Sequence, residues 1–109
     1  ATLEALARAA NREPPASSAY PYVLGAALRL NADPGAAAGW RSGLETVQVT
    51  GSAAASYEAS QALMGRATVA DFARLAPLLE QPDPDTRVGA AWTILSVLAR
   101  DRAAGMPAR

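Results

Sequence analysis

Three stretches of this 109-residue chain share a helical pattern at a fixed spacing of 32 residues. Leu24-Gly25-Ala26-Ala27-Leu28 is echoed 64 positions later by Val88-Gly89-Ala90-Ala91-Trp92, and Ser56-Tyr57-Glu58-Ala59-Ser60 lies midway. A period of that size marks paired helices, because one hairpin cannot hide its own apolar side and neighbouring units hide it by stacking. The register repeats in the other half of each unit: Trp40 and Phe72, Ala37 and Val69, and Val47 and Leu79 are each 32 apart. Leu63 and Leu95 agree at the same spacing, whereas Asn31 breaks the apolar match. The expected fold is all-α. It is a right-handed stack of three antiparallel helical hairpins, a single domain over residues 1–109 with hairpins at about 1–31, 33–64 and 66–101.

Composition supports helix over sheet. Alanine, the strongest intrinsic helix former, makes up about a quarter of the chain. Strand-favouring residues are scarce, with one Ile and one Phe. Half of the residues are apolar, yet no window approaches the ~18 uninterrupted apolar residues of a membrane span, so no membrane is expected as a partner. Ten cations balance ten carboxylates, and the basic surplus usual in nucleic-acid binders is missing. Every cation is Arg, a usage that suits a GC-rich bacterial genome. The chain starts at Ala1 rather than Met, as a processed form or a fragment boundary would; the compartment stays open, with the cytoplasm favoured over secretion.

Breakers at Pro14-Pro15, Asp33-Pro34-Gly35, Gly51-Ser52, Gly65 and Pro82-Asp83-Pro84 divide the chain into six helical runs. The first covers about Thr2 to Asn11, with Leu3 and Leu6 inward. The second covers about Ala19 to Leu30, capped by Ser17 or Ser18. The third covers about Gly35 to Val49, capped by Asp33 with Pro34 at its first position; its inner stripe is Ala37, Trp40, Leu44 and Val47. Val47 to Thr50 also admits a short strand. The fourth covers about Ser52 to Met64, capped by Ser52, with Ala55, Ala59, Ala62 and Leu63 inward and Gly65 as its stop.

The fifth run covers about Thr68 to Gln81. Thr68 caps it, and Asp71 suits the first turn. Val69, Phe72, Ala76 and Leu79 share one side, with Leu75 and Leu78 widening it, and Pro77 kinks it or ends it early. The sixth covers about Pro84 to Arg100, capped by Asp83. Val88, Ala91, Trp92, Leu95 and Leu98 form its expected buried side, broadened by Ile94 and Val97 beyond what a surface helix needs. Residues 103–109 are expected to fray.

The stretch from Leu75 to Leu95 resembles a HEAT repeat. It has a Leu-rich first helix, a Pro/Asp turn, then Arg87-Val88 and spaced small residues in the second helix. The resemblance implies that Asp83 and Arg87 tie the turn to its neighbours by hydrogen bonds. Gly89 departs from the pattern, at about 1 kcal/mol of helix propensity against Ala. The middle hairpin keeps the period but has Gly51 and Ala55 where that Asp and Arg would stand. Over residues 20–48, Leu24-Gly25 and Leu28 followed by Ala36, Trp40, Gly43 and Leu44 are similar to a tetratricopeptide repeat. Both families stack helical hairpins.

Little in the sequence carries reaction chemistry. There is no His and no Cys, which removes the usual general base, the Ser–His pair and the commonest metal ligands. No catalytic, cofactor-binding or metal-binding residue is therefore assigned. Asp83 and Asp85 could share a cation or divide acid and base roles; the plainer reading is a solvated helix start. Gly35, Gly39 and Gly43, spaced by four, read as close helix approach. Trp40 and Trp92 sit on apolar sides, as core residues do.

The expected function is a protein–protein interaction module, an adaptor, chaperone or inhibitory partner for another protein or peptide segment. If second helices line its surface, outward positions recur as Tyr22, Ala54 and Thr86; as Ala26, Glu58 and Ala90; and as Arg29, Gln61 and Thr93. The candidate partner-binding residues are Tyr20, Tyr22, Arg29, Glu58, Gln61 and Thr93, the two tyrosines flanking Pro21 beside a flexible loop. The alternatives are a structural subunit that forms a homodimer through its wide apolar last helix, and a small non-metal enzyme built on Glu58 with Arg29.

Overall fold

The computed structural model describes residues 2–30 and 34–105. Among these every regular element is helical: α1 (Thr2–Arg12), α2 (Tyr20–Leu30), α3 (Pro34–Thr50), α4 (Ala53–Leu63), α5 (Phe72–Leu75) and α6 (Pro84–Gly105), with 3-10 segments at Met64–Arg66, Val69–Asp71 and Ala76–Glu80. Val47 to Thr50 completes α3 and is no strand. The molecule is a slab, 43 × 39 × 17 Å. α4 is its central element, in contact with α2, α3 and α6.

Local chemistry sets the boundaries. The Ser17 hydroxyl accepts from the Ala19 N–H at 3.1 Å ahead of α2. Ser52 Oγ accepts from the Ala55 N–H at 3.2 Å and opens α4. The Asp83 carboxylate accepts from the Asp85 N–H at 2.9 Å at the start of α6, where the helix N-terminus favours negative charge. Arg87 closes the same turn by donating to the carbonyls of Gln81 and Pro82 at 2.9 and 2.7 Å. Asn31 and the expected cap Asp33 lie outside the described residues, as do residues 106–109. The expected fraying of 103–105 is not seen; α6 runs to Gly105.

Pro77 breaks the fifth helix more thoroughly than a kink. The α-helical part shrinks to Phe72–Leu75, flanked by 3-10 turns on both sides, because a proline ring removes one donor and crowds the preceding turn. The tighter winding changes which residues face inward. Leu75 and Leu78 are buried, whereas Val69, Ala76 and Leu79 are exposed and Phe72 is half-buried.

The main core collects Ala10, Tyr20, Leu24, Ala27, Leu28, Trp40, Leu44, Val47, Ala59 and Leu63 from α1 to α4. Leu6 packs at its edge, and Leu3 is exposed. Trp40 is anchored as well as buried, its Nε1 donating to Asn11 Oδ1 at 3.0 Å. A smaller core of Leu75, Leu78 and Ala90, with Ile94 against it, joins the 68–80 segment to α6.

α6 is rotated from the expected orientation. Gly89, Ala90, Thr93 and Val97 are its buried residues. Trp92, Leu95 and Leu98 are 52%, 59% and 48% exposed, and Val88 is exposed too. The small side wins because it lets α6 approach α4. A Cβ at Gly89 would stand 3.0 Å from both Cβ and Oγ of Ser60. α2 meets α4 in the same manner on its other flank, where a Cβ at Gly25 would stand 3.0 Å from the Ala62 Cβ. Close backbone approach extends packing contact along the whole helix, and α6 is apolar on enough sides to leave its largest side chains outward.

Candidate functional site

α2 and α4 lie side by side, and the shallow groove between them gathers Tyr22, Arg29, Glu58 and Gln61 around a floor that includes Gly25, Ala26 and Ala62. Its volume is about 250 Å³, and it continues past Gly65 and Arg66 into a second depression of about 400 Å³. Glycine and alanine at the helix contact keep the floor low, and the long side chains form the rim. Four of the six residues expected to bind a partner thus fall on one surface.

The other two do not. Tyr20 is only 9% exposed and belongs to the main core, as the first residue of α2. Thr93 is 1% exposed, with its hydroxyl donating to the Gly89 carbonyl at 2.8 Å. Ala90 is buried beside it. Two of the three outward rows expected every 32 residues therefore stop at α4, since α6 turns Ala90 and Thr93 inward, whereas in the third row Ala54 is exposed and Thr86 half-buried.

Within the groove the Glu58 carboxylate acts on the Tyr22 hydroxyl: its pull on the phenolic proton, with some desolvation and the carboxylate charge, raises that group above its ordinary pKa of 10.0. Arg29 is exposed, and its guanidinium has no hydrogen bond or ion pair among the described residues. Arg66 is committed, donating to the Leu28 carbonyl at 2.8 Å and so closing the C-terminal end of α2. Arg100 does the same for the turn after α4, donating to the Gly65 carbonyl at 2.8 Å and to that of Ala67.

A buried polar network, not anticipated from the sequence, joins α3, α4 and the 68–75 segment. Gln48 is fully buried. Its Nε2 donates to Ser60 Oγ at 2.8 Å, and its Oε1 accepts from Arg74 Nε at 3.0 Å. Its carbonyl accepts from Ser56 Oγ at 2.6 Å. Arg74 also pairs with Asp71 at 2.7 Å and Glu45 at 3.5 Å, and Arg41 approaches Asp71 at 3.5 Å. Burial alone would raise the Asp71 pKa; the Thr68 N–H, Arg74 and Arg41 outweigh it and hold the carboxyl below its ordinary value. Every member has a partner, and this is the wiring of a folded core.

Asp83 and Asp85 are exposed and engaged at the helix start. Among the described residues no group of three or more carboxylates is placed to hold a metal ion, and no helix is long and apolar enough to cross a membrane. Val88, Trp92, Leu95 and Leu98 make an exposed apolar stripe along α6, with a depression of about 350 Å³ at Leu95, Leu98 and Arg102. No protein family matches the chain, and no curated protein or solved structure matches it.

Proposed function

We propose that this chain is a protein–protein interaction module, an adaptor, chaperone or inhibitory partner, built as a short stack of helical hairpins with HEAT-like and tetratricopeptide-like units. The observation that carries the reading is the convergence of Tyr22, Arg29, Glu58 and Gln61 on the groove between α2 and α4. The occupant is an extended segment of another protein, with a carboxylate opposite Arg29. An unpaired guanidinium beside a shallow floor is suited to bidentate recognition of such a group. The small floor residues admit a backbone, and the rim supplies donors and acceptors to it. No catalytic role is assigned to the Glu58–Arg29 pair, because Glu58 is engaged with Tyr22.

Selection from a random peptide library on the immobilised protein tests this. Enriched peptides should carry Asp or Glu, and Arg29→Glu should reverse the preference toward Lys or Arg. Identical selections on both proteins, or no enrichment, would remove the reading.

A second reading, a homodimer through α6, is favoured by the apolar stripe. Isolated exposed leucines are ordinary, but a contiguous apolar patch marks an interface. Two antiparallel copies of α6 crossing at Leu95 would set Trp92 beside Leu98 of the other copy and the acidic first turn at Asp85 near Arg102, which complements charge and helix dipole together. Sedimentation should show concentration-dependent association that Leu95→Glu abolishes; a monomer at every concentration removes it.

A further inference from the structure

A cavity whose lining shares no residue with either surface lies under the loop that joins α1 to α2. It measures about 670 Å³ and is walled by Pro15, Val47 and Ala55, a size within the range of small-molecule sites. Hydroxyl groups ring it, but most are turned to the backbone. Ser17 accepts from Ala19 and Ser52 from Ala55. Thr46 donates to the Ser42 carbonyl at 3.1 Å, and Thr50 to the Thr46 carbonyl at 2.8 Å. These residues therefore present mainly methyl and methylene groups to the cavity.

Tyr20 is different. Its side chain is more than nine-tenths buried, and its hydroxyl lies against the α3 backbone at Gly43, where a Cβ would collide with it. Both residues line this cavity. Among the described residues the hydroxyl has no hydrogen-bond partner. Among the described residues no sealed side-chain polar atom lacks a partner, so this one, beside Gly43 on the cavity wall, opens onto the cavity. A buried ring with a free phenol at its tip offers a donor at the floor of a cleft lined largely by apolar atoms, with the exposed Ser18 hydroxyl at its rim.

We propose that this cavity binds a small, largely apolar molecule bearing one hydrogen-bond acceptor, which Tyr20 Oη holds. Acetophenone and ethylbenzene are suitable probes, being alike in shape and differing in the carbonyl. In amide chemical-shift titrations acetophenone should saturate and move Gly43, Val47, Gly51 and Ala55. Tyr20→Phe, which keeps the ring, should weaken acetophenone by about threefold to tenfold, the worth of one hydrogen bond, and leave ethylbenzene unchanged. Thr50→Phe, an exposed rim position, should block both probes without loss of helicity. Shifts confined to Trp92, Leu95 and Leu98, equal losses of both probes in Tyr20→Phe, or no saturable shift would each overturn the proposal.

Discussion

Gly89 on α6 and Ser60 on α4 meet so closely that a Cβ on the glycine would stand 3.0 Å from both side-chain atoms of the serine. Ser60 cannot turn away freely, because its hydroxyl accepts from Gln48 Nε2 at 2.8 Å. Gly89→Val should therefore destabilise the fold by about 1–3 kcal/mol through overpacking. Gly65→Ala, where nothing lies within 4 Å of the added carbon, should instead stabilise it by about 0.4–1 kcal/mol by restricting the unfolded chain. Urea unfolding of the two variants checks both signs. A neutral Gly89→Val would mean that the helices do not approach as described.

Gln48 holds α4 and Arg74 at once. Gln48→Leu removes both side-chain bonds and strands Arg74 Nε in a partly buried site, which should cost about 1–3 kcal/mol. Adding Ser60→Ala should cost little more, because that hydroxyl has already lost its donor. A double-mutant cycle measures the coupling; simple additivity would contradict the network.

Asp71 makes acid stability depend on one carboxylate. Its folded pKa lies below the unfolded value, so its contribution is fully present above the ordinary carboxylate range and is lost as pH falls through the folded pKa. Asp71→Asn should be less stable than the parent at pH 7, and the gap should narrow below about pH 4. A gap that widens in acid would reverse the assignment.

Tyr22 should ionise later than an ordinary tyrosine, chiefly because the Glu58 carboxylate holds back its proton. Phenolate absorbance, assigned by comparison with Tyr22→Phe, should show this, and Glu58→Gln should move the titration back toward 10.0. An unchanged midpoint would show that the two side chains do not meet in solution.

What could be read in advance follows from how the apolar residues are distributed. α3 has one stripe, Trp40, Leu44 and Val47, with polar residues opposite, and it is buried where the spacing places it. Ser52 caps α4 as a serine before a helical run should. α6 offers no such contrast: Val88, Trp92, Leu95 and Leu98 compete with Gly89, Ala90, Thr93 and Val97, and hydrophobicity favours the side that ends up outside. The decision rests on how near α4 can come, which depends on residues about 30 positions away. Tyr20 and Tyr22 looked alike beside Pro21, and only the core of α1 and α3 separates them. The Gln48 network joins positions 26 apart; its trace in the sequence is Ser56 and Ser60, four apart on the inner side of α4, where apolar residues would be expected.

The orientation of α2, α4 and α6 underlies every surface described, and thiol labelling tests it directly because the chain has no Cys. Single cysteines at Arg29, Gln61 and Leu95 should react in dilute solution as fast as in an unfolded peptide. Cysteines at Ser60 and Thr93 should be protected at least about tenfold by the closed native state. Rapid reaction at Thr93 with protection at Leu95 would contradict the account.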